Sequence, residues 1–166
     1  MKSTKRYPFL TLWQHRFQLH FDNASTFTPC PSERQFRLWA WQAIKNEYRR
    51  ADIGLILLDE NEARAYNRDY RGKDYATNVL SFALNEGEAL FHPNPDVLTG
   101  DLIICPQIVA KEATEQGKDV FAHFAHLTIH GTLHLMGYDH IEAEDAEMME
   151  ALEIRLLKQL AYPNPY

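Results

Sequence analysis

The stretch HGTLHLMGYDH, residues 130–140, sets three histidines, His130, His134 and His140, within eleven residues. Neutral imidazole is the commonest metal-binding side chain, so the question is whether the backbone can bring all three rings to one point. Four residues of α-helix advance the azimuth by about 400° and rise about 6 Å, which stacks His130 and His134 on one face. A helix continuing from His134 to His140 would turn the third ring by about 240°, onto the wrong side. The helix must therefore stop first, and Gly137 is where it can. A glycine adopts the left-handed conformation that ends helices without a Cβ clash, so the chain turns back and delivers His140.

His126 lies four residues before His130 on the same stripe, with His123 three further back. A stripe from His126 to His134 spans about 12 Å, too long for nitrogens that must all lie about 2.0–2.1 Å from one zinc ion. The pair followed by a chain reversal and a third histidine is 130 with 134, so His123 and His126 are expected to be structural, each with a hydrogen-bond partner. Three imidazoles leave a tetrahedral zinc one open position, the pattern of a catalytic site, and lower the pKa of water there toward about 7. Imidazole also suits other divalent transition metals. Asp139, beside His140, can accept a ligand's other ring N–H or serve the turn.

The same spacing occurs in metzincin peptidases, which place a glutamate general base directly after the first histidine. Here that residue is Gly131, which weakens a zinc peptidase or amidohydrolase reading. A glycine inside a helix costs about 0.5–1 kcal/mol relative to alanine, so Gly131 should serve close approach of a substrate or tight packing against a strand.

A second constellation is NRDYRGKDYATNVLSF, residues 67–82. Arg64, Arg68 and Arg71 recur at helical spacing, with Lys73 in the loop that follows, forming the best local positive patch. Glu60, Glu62, Asp69 and Asp74 interleave with them, which is also the composition of a solvated helix face. An arginine facing the metal would hold a phosphodiester through two hydrogen bonds.

These residues sit in a chain of 166, 45% hydrophobic and 24% charged, consistent with one globular domain spanning residues 1–166. The formal net charge of −6 excludes a globally basic nucleic-acid binder and leaves RNA contact to a local patch. Cys30 and Cys105 form neither a disulfide framework nor a CxxC motif, and two free thiols suit a reducing cytoplasm. The basic opening MKSTKRYPFLTLWQHR has too short an apolar stretch for a signal peptide, and no run approaches the ~18 apolar residues of a membrane span.

The elements that must position the site read as follows. FQLHF (17–21) alternates like a half-buried strand, and Ser32 with Gln35 makes a capping box for a helix to about residue 48. DIGLILLD (52–59) is a buried strand, and Asp59 caps a helix to about residue 70. NVLSFAL (78–84) and LIIC (102–105) are two more strands, joined by a longer loop containing HPNPDVLTG. Pro106 opens a helix that Gly117 ends; Asp119 precedes the histidine helix, to about residue 136. AEDAEMMEALEIRLLKQL closes the fold as a helix with a stripe of Leu152, Leu156 and Leu160, and its acids read as structural. The order predicts an α+β (mixed α/β) fold: one layer of mixed four-stranded sheet covered by about five helices, with the three-histidine site at a helix C-terminus.

HGTLHLMGYDH closely resembles the signature of the YbeY family of bacterial endoribonucleases, and YRGKDYATNVLSF its other diagnostic segment. TGDLIIC with the helix carrying KEATEQGK, the acidic run EAEDAEMMEALE and the ending NPY are also similar, over roughly residues 50–166. The resemblance implies a mixed sheet with surrounding helices, one zinc on His130, His134 and His140, and metal-dependent cleavage of single-stranded RNA. It further implies work in 16S rRNA 3′-end maturation and ribosome quality control, with the small subunit or whole ribosome as partner, in the cytoplasm, without membrane or DNA. Arg71 matches the family's functionally important arginine; Lys73 and Arg68 would help bind RNA. Ala76 and Ala83 stand where prolines are common in the family. A non-catalytic ribosome assembly factor, its metal only bracing the fold, is the remaining alternative.

Overall fold

The computed structural model describes residues 16–84 and 96–166. The basic opening and the first part of the HPNP loop lie outside the described residues. The strands are β1 (Phe17–Asn23), β2 (Arg50–Leu57), β3 (Val79–Ala83) and β4 (Val97–Ile104). Interleaved with them are the helices α1 (Glu33–Ile44), α2 (Glu60–Arg71), α3 (Pro106–Glu115), α4 (Val120–Leu135) and α5 (Ala143–Gln159). The sheet order is β1-β2-β4-β3. β1, β2 and β4 run parallel, with Ile53 beside Leu19 and Leu55 beside Leu102. β3 is an antiparallel edge strand, Val79 opposite Ile104 and Ala83 opposite Gly100. This is the mixed α+β architecture expected from the order of elements.

Local chemistry explains most boundaries. Ser32 and Gln35 form both halves of the capping box that starts α1. Pro106 stands at the start of α3, where its missing N–H costs nothing. Asp119 accepts from the Ala122 N–H at 2.9 Å and starts α4. Three expectations need correction. The helix α1 stops at Ile44 rather than near residue 48; a looser turn follows in which the Tyr48 N–H still reaches the Ile44 carbonyl at 3.0 Å. Asp59 occupies the N-cap of α2 but makes no side-chain cap there. Its carboxylate instead accepts from Ser25 Oγ (2.5 Å), Thr26 Oγ1 (2.8 Å) and Gln107 Nε2 (2.5 Å), tying the loop after β1 to α3. Those bonds, Ser25's first, hold its pKa well below the ordinary carboxylate range.

The third correction concerns β4, which begins at Val97 inside the segment read as loop. Gly100 is a close-packing residue within the strand rather than a turn. A Cβ there would stand 2.7 Å from Leu135 Cδ2 and 2.8 Å from the Phe82 carbonyl oxygen, so only glycine lets β4 lie between β3 and the end of α4.

α4 is the helix around which the rest is built, packing on α1, α3, α5, β3 and β4. Phe124 meets Phe36 edge to face at 6.0 Å, within a core that includes Trp39, Ile53, Leu102, Ile129 and Leu133. Replacing Gly100 by alanine is expected to cost about 1–3 kcal/mol by overpacking a rigid contact. Gly54→Ala, which crowds only the movable carboxylate of Asp101, should cost less. Urea unfolding checks this; equal midpoints for wild type and Gly100→Ala would overturn the packing role.

Candidate metal centre

α4 ends in two reciprocal hydrogen bonds. The Gly137 N–H donates to the His134 carbonyl at 3.0 Å and the Tyr138 N–H donates to the Leu133 carbonyl at 3.1 Å, while Gly137 takes φ 95°. This is the Schellman reversal, which satisfies the last carbonyls of a helix while sending the chain back over its own end. Tyr138 is fixed in turn by donating its hydroxyl to Glu47 Oε1 at 2.6 Å, which with burial pushes the phenol pKa up to about 12. The Asp139 carboxylate accepts from the backbone N–H of His140 at 2.6 Å, so its hydrogen bond serves the turn and not a ligand ring.

The reversal brings the three histidines together. His130 Nε2 and His134 Nε2 are 3.1 Å apart, close to the ~3.3 Å that separates two nitrogens on one tetrahedral zinc. The His140 ring centre lies 5.6 Å from that of His130 and 5.0 Å from that of His134. One nitrogen from each ring lies within 4.8 Å of the others. This all-nitrogen donor set fits a borderline transition metal such as zinc, and small side-chain movements would close it on one ion. Burial, the larger influence, lowers the His134 pKa, and the neighbouring His130 and His140 push it the same way, favouring the neutral form that can ligate.

The histidines form one wall of a cleft of about 400 Å³ whose other walls include Arg71, Asn78, Ser81 and Ala83. Arg71 is the last residue of α2, which Gly72 ends at φ 68°, and among the described residues it forms no ion pair. The other two arginines do: Arg64 holds Asp74 with two bonds of 2.8 Å, and Arg68 lies 3.0 Å from Asp69. Arg68 and exposed Lys73 do not line the cleft. Gly131 serves strand packing: its missing Cβ would stand 3.0 Å from both Leu102 Cδ2 and Val79 Cγ2, and its carbonyl accepts from Ser81 Oγ at 3.0 Å.

His123 and His126 have the structural partners expected of them. His123 Nε2 lies 2.9 Å from Glu112 Oε2, and His126 Nε2 lies 3.1 Å from Glu153 Oε2. Glu153 was not distinguishable from the other acids of α5 by charge alone. It is fully buried, 2.6 Å from His130 Nδ1 through Oε1, and accepts from the Tyr166 hydroxyl. Burial alone would raise its pKa, but the bonds from His126, His130 and Tyr166 outweigh that and hold it at about 2. The available signal was its place on the buried stripe, four residues after Met149 and three before Leu156.

With this geometry established, comparisons with known proteins bear on what the site does. The profile of a family described as "Endoribonuclease YbeY" matches residues 22–161. A protein of that name from Neisseria meningitidis serogroup B is 71% identical over 166 residues, 100% of this chain and 98% of its own length. Its counterpart from Neisseria gonorrhoeae is 70% identical, over 100% and 97%. One from Chromobacterium violaceum is 46% identical over the same shares, 100% and 97%. The similarity thus extends well before residue 50, where the motifs alone had placed its start. The solution structure of TM1509 from Thermotoga maritima matches with a TM-score of 0.60 at 24% identity, covering 86% of this chain and 89% of that one. That match bears on the fold alone.

Two outcomes follow from the geometry. Gly137→Ala forces a Cβ into a left-handed position, so a loss of about 1–2 kcal/mol is expected, together with weaker binding of any metal the three histidines hold. Urea unfolding and zinc titration check it, and unchanged zinc affinity would separate the turn from the site. Burial lowers the pKa of His123, against the opposing pull of Glu112, as it lowers that of His134. A folded-state pKa below the unfolded value means the unfolded chain takes up protons first. This contribution to stability is complete above about pH 6.5 and is lost as pH falls through the folded-state values. The Tm of chelator-treated protein should therefore drop as pH falls below about 6.5, less steeply for His123→Gln; a flat profile would contradict this.

Proposed function

This chain belongs to the YbeY family of endoribonucleases, and from that premise we propose that it cleaves single-stranded RNA with one zinc ion held by His130, His134 and His140. The observation that carries the proposal is the convergence of three imidazole nitrogens within 4.8 Å of one another, on a cleft that Arg71 also lines. Zinc bound there would supply Lewis acidity toward water or a phosphate oxygen.

The chain's own residues do the rest. Arg71, which forms no ion pair among the described residues, presents a guanidinium able to grip two phosphate oxygens and to stabilise charge that grows at phosphorus. Lys73, two residues on and exposed, extends the contact along the RNA backbone; Arg68 contributes less because Asp69 already engages it. Asp139 lines the cleft and can accept a proton from the attacking oxygen. Gly131 leaves little space for the glutamate a metzincin needs, because Val79 and Leu102 already crowd that position. We place this activity in 16S rRNA 3′-end maturation and ribosome quality control. The small subunit or whole ribosome is the partner, the cytoplasm the setting, and residues 1–166 act as one domain.

Metal analysis joined to cleavage of a labelled single-stranded RNA tests the reading. His130→Ala should lose zinc and cleavage together. Arg71→Ala should keep its zinc and lose about 100-fold or more in rate, whereas Arg68→Ala should lose little. Full activity in Arg71→Ala would favour a non-catalytic assembly factor, and equal RNA degradation by wild type and His130→Ala would identify a contaminant.

A further inference from the structure

His130 belongs to two overlapping groups of converging donor atoms. One is His130, His134 and His140 in the cleft; the other is His126, His130 and Glu153 behind it. A ring has two nitrogens, and their protonation decides which group it serves. An ionised carboxylate offers only acceptors, so each imidazole facing it must present an N–H. Glu153 Oε1 lies 2.6 Å from His130 Nδ1, which places the His130 proton on Nδ1. The Nε2 lone pair is then free on the cleft side, 3.1 Å from His134 Nε2. Glu153 Oε2 faces His126 Nε2 at 3.1 Å and fixes that proton on Nε2, so this nitrogen has no lone pair to offer a metal. The remaining nitrogen of His126, Nδ1, is then a bare lone pair; it is buried and has no hydrogen-bond partner among the described residues.

Two further features hold the carboxylate in this pose. Tyr166 donates its hydroxyl to Oε2, and its ring lies edge to face on His126 at 5.4 Å, so the final residues of the chain close over the pair. Lys118 Nζ donates to the Pro165 carbonyl and pins the same segment to the start of α4. A fully buried carboxylate is costly unless every lone pair facing the protein is met by a donor. Here the donors come from α4 and from the segment after α5.

We propose that Glu153 is the positioning residue of the metal centre: it selects the tautomer that commits His130 to the cleft, keeps His126 out of the ligand set, and depends on Tyr166 for its own orientation. This rests on the reading of the cleft as a metal site. It makes metal affinity depend on a tyrosine whose hydroxyl contacts none of the three proposed ligands.

The test uses the full chain and zinc itself. Zinc affinity is measured by competition with a chromophoric chelator for wild type, Glu153→Gln, Tyr166→Phe and His126→Gln, beside imidazole 15N spectra of the metal-free proteins. Expected are one zinc per chain for wild type, a loss of about 10–100-fold in affinity for Glu153→Gln, and a smaller, several-fold loss for Tyr166→Phe. The spectra should show His130 protonated on Nδ1 in wild type and mixed tautomers in Glu153→Gln. Should Glu153→Gln not fold, Tyr166→Phe, which keeps its ring contact, decides through the same two readouts. Affinity within twofold of wild type with an unchanged tautomer would overturn the positioning role while leaving the metal site intact. Two zinc ions in wild type falling to one in Glu153→Gln would make Glu153 a ligand and overturn it as well. No zinc affinity in wild type would overturn the metal-site reading and this proposal together, a failure recognisable because it precedes any substitution.

Discussion

Three imidazoles spread over eleven residues of one continuous chain can meet only if the helix carrying the first two ends within one turn of the second. That constraint fixes much of this molecule. α4 must stop at Leu135, the reversal must be left-handed at Gly137, and Tyr138 must be anchored so that His140 returns at the right height. The anchor is Glu47, far away in sequence beyond α1, and α1 is itself packed on α4. The closing turn of the site and the core are therefore one mechanical unit. A shift of α1 against α4 would move Tyr138, and with it the third histidine.

Two partly exposed acids follow the same logic of support from several elements. Glu112 on α3 faces His123 of α4 and accepts from Asn78 Nδ2 at 3.0 Å, while Asn78 Oδ1 accepts from the Val79 N–H at 2.6 Å. One carboxylate thus fixes the start of β3, which lines the cleft, relative to the helix bearing the ligands. Asp59 does the equivalent for the loop after β1 and for α3. Each of these acids draws its donors from different elements and so couples those elements through one carboxylate.

Much of this was legible in the residues. The helical spacing of His130 and His134 and the breaking power of Gly137 are local properties, and they led to the convergence without knowledge of the sheet. The capping box at Ser32, Pro106 at the start of α3 and the period-two pattern of FQLHF are local in the same sense. What stayed hidden is what depends on a partner distant in sequence. Gly100 resembles a turn residue until Leu135 and the Phe82 carbonyl are seen beside it. Asp59 has the right type for a cap, but the hydroxyls of Ser25 and Thr26 compete for it successfully. Glu153 sits in an acidic run whose other members face water, and only the histidines behind the cleft distinguish it. Gly131 was ambiguous between substrate approach and strand packing until Val79 and Leu102 were placed against it.

The charge distribution of a chain of net charge −6 leaves anion binding to local groups rather than to a global field. The basic patch of α2 is largely discharged in place, Arg64 by Asp74 and Arg68 by Asp69. Such exposed pairs add little to stability, but they cancel much of the field the arginines would project, and salt screens what remains. Arg71 differs by position. It ends α2 where Gly72 turns the chain, lines the same cleft as the histidines, and among the described residues no carboxylate engages it. Within the cleft, a phosphate meets the Arg71 guanidinium, which no described carboxylate engages, beside the three histidines. Attraction of that kind acts at short range, because salt screens exposed charges beyond about 10 Å, so it depends on entry into the cleft more than on long-range steering.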